Sequence, residues 1–162
     1  MLTVVIPTLN SEKPLAHTLA FLVPAVVEGL LRRVVVVDGG SGDDTRLVAE
    51  GAGCTLYRSA EIMVALREIR TPWVLLLCPG ATLEPGWEEP VRDYIREHTG
   101  AARFSRPEDQ GLLKKLFGSV ATLDAGLLVR LDALHPFIEA GVSFDALPSK
   151  LKPVVLPVAL LG

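Results

Sequence analysis

The densest chemistry in this sequence lies in the eight residues Asp38-Gly39-Gly40-Ser41-Gly42-Asp43-Asp44-Thr45. Four consecutive valines, 34–37, lead into Asp38. A carboxylate ending so apolar a run is costly unless hydrogen-bond donors surround it. Three glycines follow within four positions, and glycine lets a backbone approach a ligand closely. Asp43, Asp44 and Thr45 suit the start of a helix, where acids meet the positive end of the macrodipole. The same spacing also describes a tight turn with capping acids, so the loop alone leaves both readings open. It matches neither GxGxxG nor the Walker pattern, which removes a Rossmann or P-loop reading. Asn10, in Pro7-Thr8-Leu9-Asn10-Ser11-Glu12, reads first as a helix N-cap, a role compatible with ligand contact.

These loops need a scaffold that brings them together. Residues 2–6, 33–38, 54–57 and 73–78 are short β-branched or leucine-rich runs that read as buried strands. Helical stretches separate them. The first runs from Pro14 to about residue 22, with Pro24 kinking it or starting a second piece to 31. The others are 43–50 and 60–70, the last ended by Thr71-Pro72. Strand and helix alternating in this way predict an α/β fold, a three-layer sandwich around a mostly parallel sheet. Further on, 85–97, 109–118 and 131–140 read as helices and 125–129 as a strand. Residues 154–158, with prolines at 153 and 157, read as an edge strand. In a parallel sheet, ligands bind beyond the carboxyl ends of the strands where strand order reverses. The loops at 7–10, 38–41, after Tyr57 and at 78–81 would then line one crevice.

Composition narrows the classes. A chain of 162 residues suits one domain, here with halves at 1–97 and 98–162. A net charge of −3 with no basic stretch gives no reason to expect nucleic acid. Two cysteines, Cys54 and Cys78, without CxxC spacing, argue against a disulfide framework and fit a reducing cytoplasm. No secretory leader is visible, and charges and Pro24 interrupt the apolar run 19–37, so no membrane span is expected. His17, His98 and His135 stand apart and read as structural or exposed. The apolar tail 153–162 is a candidate homodimer contact.

Three segments, VVIPTLNSE, VVVVDGGSGDDT and VLLLCPGATLEPGW, occur in an order and spacing that resemble a family 2 glycosyltransferase of GT-A fold. The likeness is to the small bacterial branch and covers residues 2 to about 97, with LDAGLLVRLDALHPF resembling a later part of that domain. The resemblance implies a nucleotide-diphosphate sugar of UDP or GDP type as ligand, and Mg²⁺ or Mn²⁺ as cofactor. It implies that Pro7, Thr8, Asn10 and Glu12 line the nucleotide pocket. Asp38 would hydrogen-bond the base, with Gly39, Gly40 and Ser41 shaping the same pocket.

The departures bear on activity. Where such enzymes carry the acidic motif that holds the metal, this chain reads Cys78-Pro79-Gly80-Ala81, with no acid until Glu84. A hard cation needs oxygen ligands, and only backbone carbonyls are offered here. The family's general base has one weak counterpart, Asp145, with Asp124 as an alternative; each also reads as an ordinary turn acid. The acceptor-side half is short. The expectation is a family 2-like protein that binds a nucleotide-diphosphate sugar with impaired or absent metal-dependent transfer. The alternatives are an active enzyme with a metal-independent site and a non-catalytic partner or scaffold. A nucleotidyltransferase-like domain would need a basic, glycine-rich first loop, and PTLNSEKP has one lysine and no glycine.

Overall fold

In the computed structural model, residues 1–106 and 122–161 are described. Eight strands form one sheet: β1 (Leu2–Thr8), β2 (Leu31–Asp38), β3 (Thr55–Arg58), β4 (Trp73–Leu76), β5 (Thr82–Leu83), β6 (Ala102–Ser105), β7 (Leu127–Arg130) and β8 (Val154–Leu161). Their order is β3-β2-β1-β4-β7-β6-β8-β5. The pairs β1/β2, β2/β3 and β1/β4 are parallel, while β7 turns back antiparallel to both β4 and β6. The chain runs from β1 out to β3, then returns to the other side of β1 as β4. Strand order therefore reverses beside β1, which puts the ends of β1, β2 and β4 at one crevice.

Side chains alternate along each central strand, and both faces are covered. Val4 and Ile6 of β1 turn to one face and Val5 to the other; Leu75 and Leu76 of β4 divide the same way. The first face carries α1 (Glu12–Val27), α2 (Thr45–Gly51) and α4 (Glu88–Glu97). The second carries α3 (Ile62–Glu68), α5 (Leu131–Glu139) and α6 (Leu147–Leu151). This is the three-layer α/β arrangement expected of continuous apolar strands. Each fully buried Leu or Val stabilises the fold by about 1.5–3 kcal/mol relative to exposure.

Two expectations are corrected. Of the two readings of Pro24, the second piece does not form: α1 continues through Pro24 to Val27. The buried stripe Leu15, Thr18, Leu19, Leu22 and Ala25 keeps the helix on the sheet past the missing N–H. The segment expected at an edge, 154–158, is longer and internal: β8 pairs with β6 on one side and β5 on the other. Its proline is tolerated because the β6/β8 register shifts between Arg103 and Ser105, where the opposite strand carries Pro157. Leu156, Val158 and Leu160 enter the core, while Val154, Val155 and Leu161 stay exposed. The helix expected over 109–118 lies outside the described residues. No helix among the described residues is long and apolar enough to cross a membrane.

Candidate functional site

Asp38 ends β2 and is 4% exposed. Four donors surround its carboxylate. The Gly40 and Ser41 amides reach Oδ2 at 3.2 and 3.0 Å, and the Ser41 and Thr8 hydroxyls reach Oδ1 at 2.5 and 3.3 Å. Burial alone would raise its pKa, but the bonds from Ser41, Gly40 and Thr8 outweigh it and hold the carboxyl below the usual range. Gly40 sits at φ 100°, a conformation that brings its amide back onto Asp38 and that side chains resist.

The loop after β1 is fastened to the loop after β2. Asn10 adopts φ 48°, accepts from the Gly42 amide through Oδ1 at 2.8 Å and donates its own amide to Ser41 Oγ at 2.9 Å. The position expected to be an N-cap is a loop tie, and Ser11 precedes the helix instead. The Ser11 amide donates to Thr45 Oγ1 at 2.8 Å, and Gly39 donates to the Thr8 carbonyl at 2.8 Å. Glu12 opens α1 with its amide on Asp43 Oδ2 at 3.3 Å. Asp43 also takes the Thr45 hydroxyl and amide, and these bonds lower its pKa.

Beside these loops, on the face that carries α3 and α5, lies a cavity of about 360 Å³. Pro7, Thr8, Ser59, Phe144 and Asp145 are among its walls. The structure thus brings Pro7 and Thr8 together with Asp145. Asn10, Glu12 and Gly39 to Ser41 are absent from that wall and belong to the latch between the loops. Ser59 and Phe144 had no local signal marking them. Ser59 follows β3 as its hydroxyl bonds the Asp38 carbonyl, and Phe144 sits in the turn after α5.

The turn after β4 is fastened to α1. The Gly80 amide donates to the Pro14 carbonyl at 3.1 Å and to Thr18 Oγ1 at 2.9 Å, and the Thr18 hydroxyl donates to the Ala81 carbonyl at 3.0 Å. Thr18 is fully buried. Thr18→Val keeps the shape and removes both bonds. It is expected to lower unfolding free energy by about 1–2 kcal/mol in urea titration, and an unchanged midpoint would contradict the anchoring role.

Burial pushes the Cys78 thiol up to about 11, aided by the negative charges of Asp124 and Asp145. Cys54 is likewise raised to about 11, by burial. At pH 8 only about one thiol in a thousand is then ionised. Alkylation of both cysteines is expected to be slow at pH 8 and to rise about tenfold per pH unit toward pH 10. Reaction at the pace of a free thiol at pH 8 would contradict this.

The donor set at this turn does not fit a hard cation. Its side chains are a mostly protonated thiol, a proline ring and a methyl group, and the Cys78 carbonyl already accepts the Ala81 amide at 3.1 Å. Asp124, on the turn before β7, pairs with Arg106 at 3.7 Å. Among the described residues, no group of three His, Cys, Asp or Glu side chains comes together to hold a metal.

The model of the family described as glycosyl transferase family 2 matches residues 3–111, more than half of the chain. The chain belongs to glycosyl transferase family 2. No curated protein sequence matches it. Among solved structures, it resembles mannosyl-3-phosphoglycerate synthase from Rubrobacter xylanophilus at 20% identity and a TM-score of 0.65, covering 82% of this chain and 54% of that one. It resembles glucosyl-3-phosphoglycerate synthase from Mycobacterium tuberculosis, solved with phosphoglyceric acid, at 18% identity and a TM-score of 0.60, covering 83% and 58%. The latter protein has also been solved with Mn²⁺, UDP-glucose and phosphoglyceric acid. At these identities the likeness establishes the GT-A fold. This family 2 chain spans a little over half the length of these solved relatives.

Proposed function

We propose that this family 2 chain binds a nucleotide-diphosphate sugar or its nucleotide of UDP or GDP type, and that it does not carry out metal-dependent sugar transfer. One observation carries this reading. A cavity walled by Pro7 and Thr8 stands at the strand ends, while the neighbouring turn Cys78-Pro79-Gly80-Ala81 supplies no side-chain oxygen for a cation. The volume lies within the range of small-molecule sites, and its apolar walls with three hydroxyls suit a planar base with a few polar edges. Phe144 offers a ring surface and Ser143 a hydroxyl, while Thr8 and Ser59, whose hydroxyls already donate to Asp38, can only accept. Asp38 serves this pocket as a positioning residue, because its four partners leave the carboxylate little free acceptor capacity.

Transfer normally leans on a cation to neutralise the departing diphosphate, a contribution of several kcal/mol. At about 1.4 kcal/mol per decade, its loss slows transfer at least several hundredfold. Amide spectra recorded during UDP and GDP titration test the reading. Shifts centred on Thr8, Ser59 and Ser143 are expected; shifts elsewhere or none would contradict it.

The position of Asp145 on the cavity wall favours one second reading, an active transferase with an altered site. A donor panel would then show turnover without metal, and Asp145→Asn would lower it by about 10²–10⁴-fold as expected of a general base. No turnover across UDP- and GDP-sugars, with binding retained, would leave the first reading standing.

A further inference from the structure

A second cavity, of about 510 Å³, lies at the opposite end of the parallel strands, on the first face of the sheet. It opens between α1, α2 and the start of β2. Its volume falls within the range of small-molecule sites. Ala20, Val23 and Val26 of α1, Val48 of α2, Val34 of β2 and Cys54 are among its walls. No hydroxyl, amide or aromatic side chain stands among the described residues of the wall. Such a wall has nothing to read the polar edges of a base or a sugar, and it suits a flexible alkyl chain. Val23 and Val26 stand exposed, so a chain laid against them removes apolar surface from water.

The wall carries charge of one sign. Among its described residues Arg32 and Arg33 are the charged side chains, and both are positive. Arg33 is engaged elsewhere: its Nε donates to Thr55 Oγ1 at 2.8 Å, and its guanidinium lies 4.0 Å from Glu68 Oε2. The Arg32 guanidinium has no hydrogen bond or ion pair among the described residues. The strand register sets Arg32 apart. Leu2 of β1 pairs with Leu31 and Thr3 with Arg33, which leaves Arg32 an extra residue with no partner on β1. An insertion of this kind bends the strand and re-aims a side chain, and it recurs beside binding sites.

We propose that this cavity binds a single-chain alkyl carboxylate, with the chain along the valines and the carboxylate on Arg32. A guanidinium can take a carboxylate through two parallel hydrogen bonds. The two cavities share no wall residue, so occupancy of this one is independent of the nucleotide reading of the other.

The test uses Cys54, a wall of the cavity, as reporter and Cys78, outside it, as control. The full chain is alkylated in the presence of hexanoate, octanoate, decanoate or octanol, each below its micelle threshold. Octanoate at about ten times its Kd is expected to slow Cys54 about tenfold and to leave Cys78 unchanged. Each pair of added methylenes should tighten binding several-fold, and octanoate should bind about threefold or more tighter than octanol. Arg32→Gln should erase the preference for the carboxylate and keep the dependence on chain length. Ala20→Trp, which fills the cavity, should abolish protection. Both residues are exposed, so neither change disturbs the core. No protection of Cys54 by any of the three acids overturns the proposal, and so does equal slowing of both cysteines. A preference for octanoate that survives Arg32→Gln overturns the role given to Arg32. Protection by phosphatidylglycerol vesicles alone, or by raised protein concentration alone, also overturns the proposal, in favour of a membrane surface or a second copy.

Discussion

Asp38→Ala is expected to lower unfolding free energy by about 2–4 kcal/mol and to weaken nucleotide binding at least about tenfold. The carboxylate is almost completely buried, and four donors converge on it. Hydrogen bonds to a charged group each contribute about 1.5–3 kcal/mol, and water recovers part of the loss at the exposed end of the loop. Three of the donors come from Gly40 and Ser41 and set the path of the loop. Another is Thr8, a wall of the cavity, so the binding loss follows from a displaced side chain. The sign of the pH dependence is fixed. The folded pKa of Asp38 lies below its unfolded value, so its stabilisation is complete above about pH 4 and falls away as pH drops through the lowered value. The stability gap between the native chain and Asp38→Ala should stay constant from pH 7 to about 5 and narrow below about 4. A gap under about 1 kcal/mol that ignores pH would contradict the role given to Asp38.

Gly126→Ala is expected to cost about 2–4 kcal/mol without touching the cavity. Gly126 sits at φ 66°, ψ 160°, a region used almost solely by glycine. A Cβ there would lie 3.0 Å from Phe104 Cδ2 and 3.1 Å from Leu77 Cδ2. Both side chains are buried in the packed core, so neither yields cheaply. Gly126 joins the turn that bears Asp124 to β7, the strand that pairs with β4. Gly51→Ala is the control. It ends α2, its added methyl group meets nothing within 4 Å, and the change should be neutral or mildly stabilising. Equal losses for the two variants in urea titration would contradict the packing account.

The first four strands could be read from the chain because each holds a short β-branched or apolar run; Pro7, Asp38 and Pro79 mark the ends of three, and Arg58-Ser59 follows the third. Asp38 also announced itself, since a carboxylate after four valines has to be satisfied. The partners that satisfy it were less visible. Thr8 and Ser41 reach Asp38 from two loops, and Asn10 spends its side chain on Gly42, which no local pattern states. Nothing in the sequence reading singled out Thr18, yet it fixes the turn after β4 from the buried face of α1. The interior place of β8 depends on pairing with β5 and β6, strands of two and four residues too short to register as patterns. A second helical piece after Pro24 does not form, because packing of the α1 stripe outweighs the missing hydrogen bond. Asp145 and Pro7 share a cavity from opposite ends of the chain, and only the fold brings them together.

The proposal that this chain keeps a base pocket without a metal-assisted site is tested most directly by titrating UDP and GDP calorimetrically with and without Mn²⁺. Binding of at least one nucleotide is expected, with a Kd that Mn²⁺ changes by less than about twofold. Tightening by about tenfold or more on adding Mn²⁺ would contradict the account, because it would require oxygen ligands that the turn Cys78 to Ala81 does not offer.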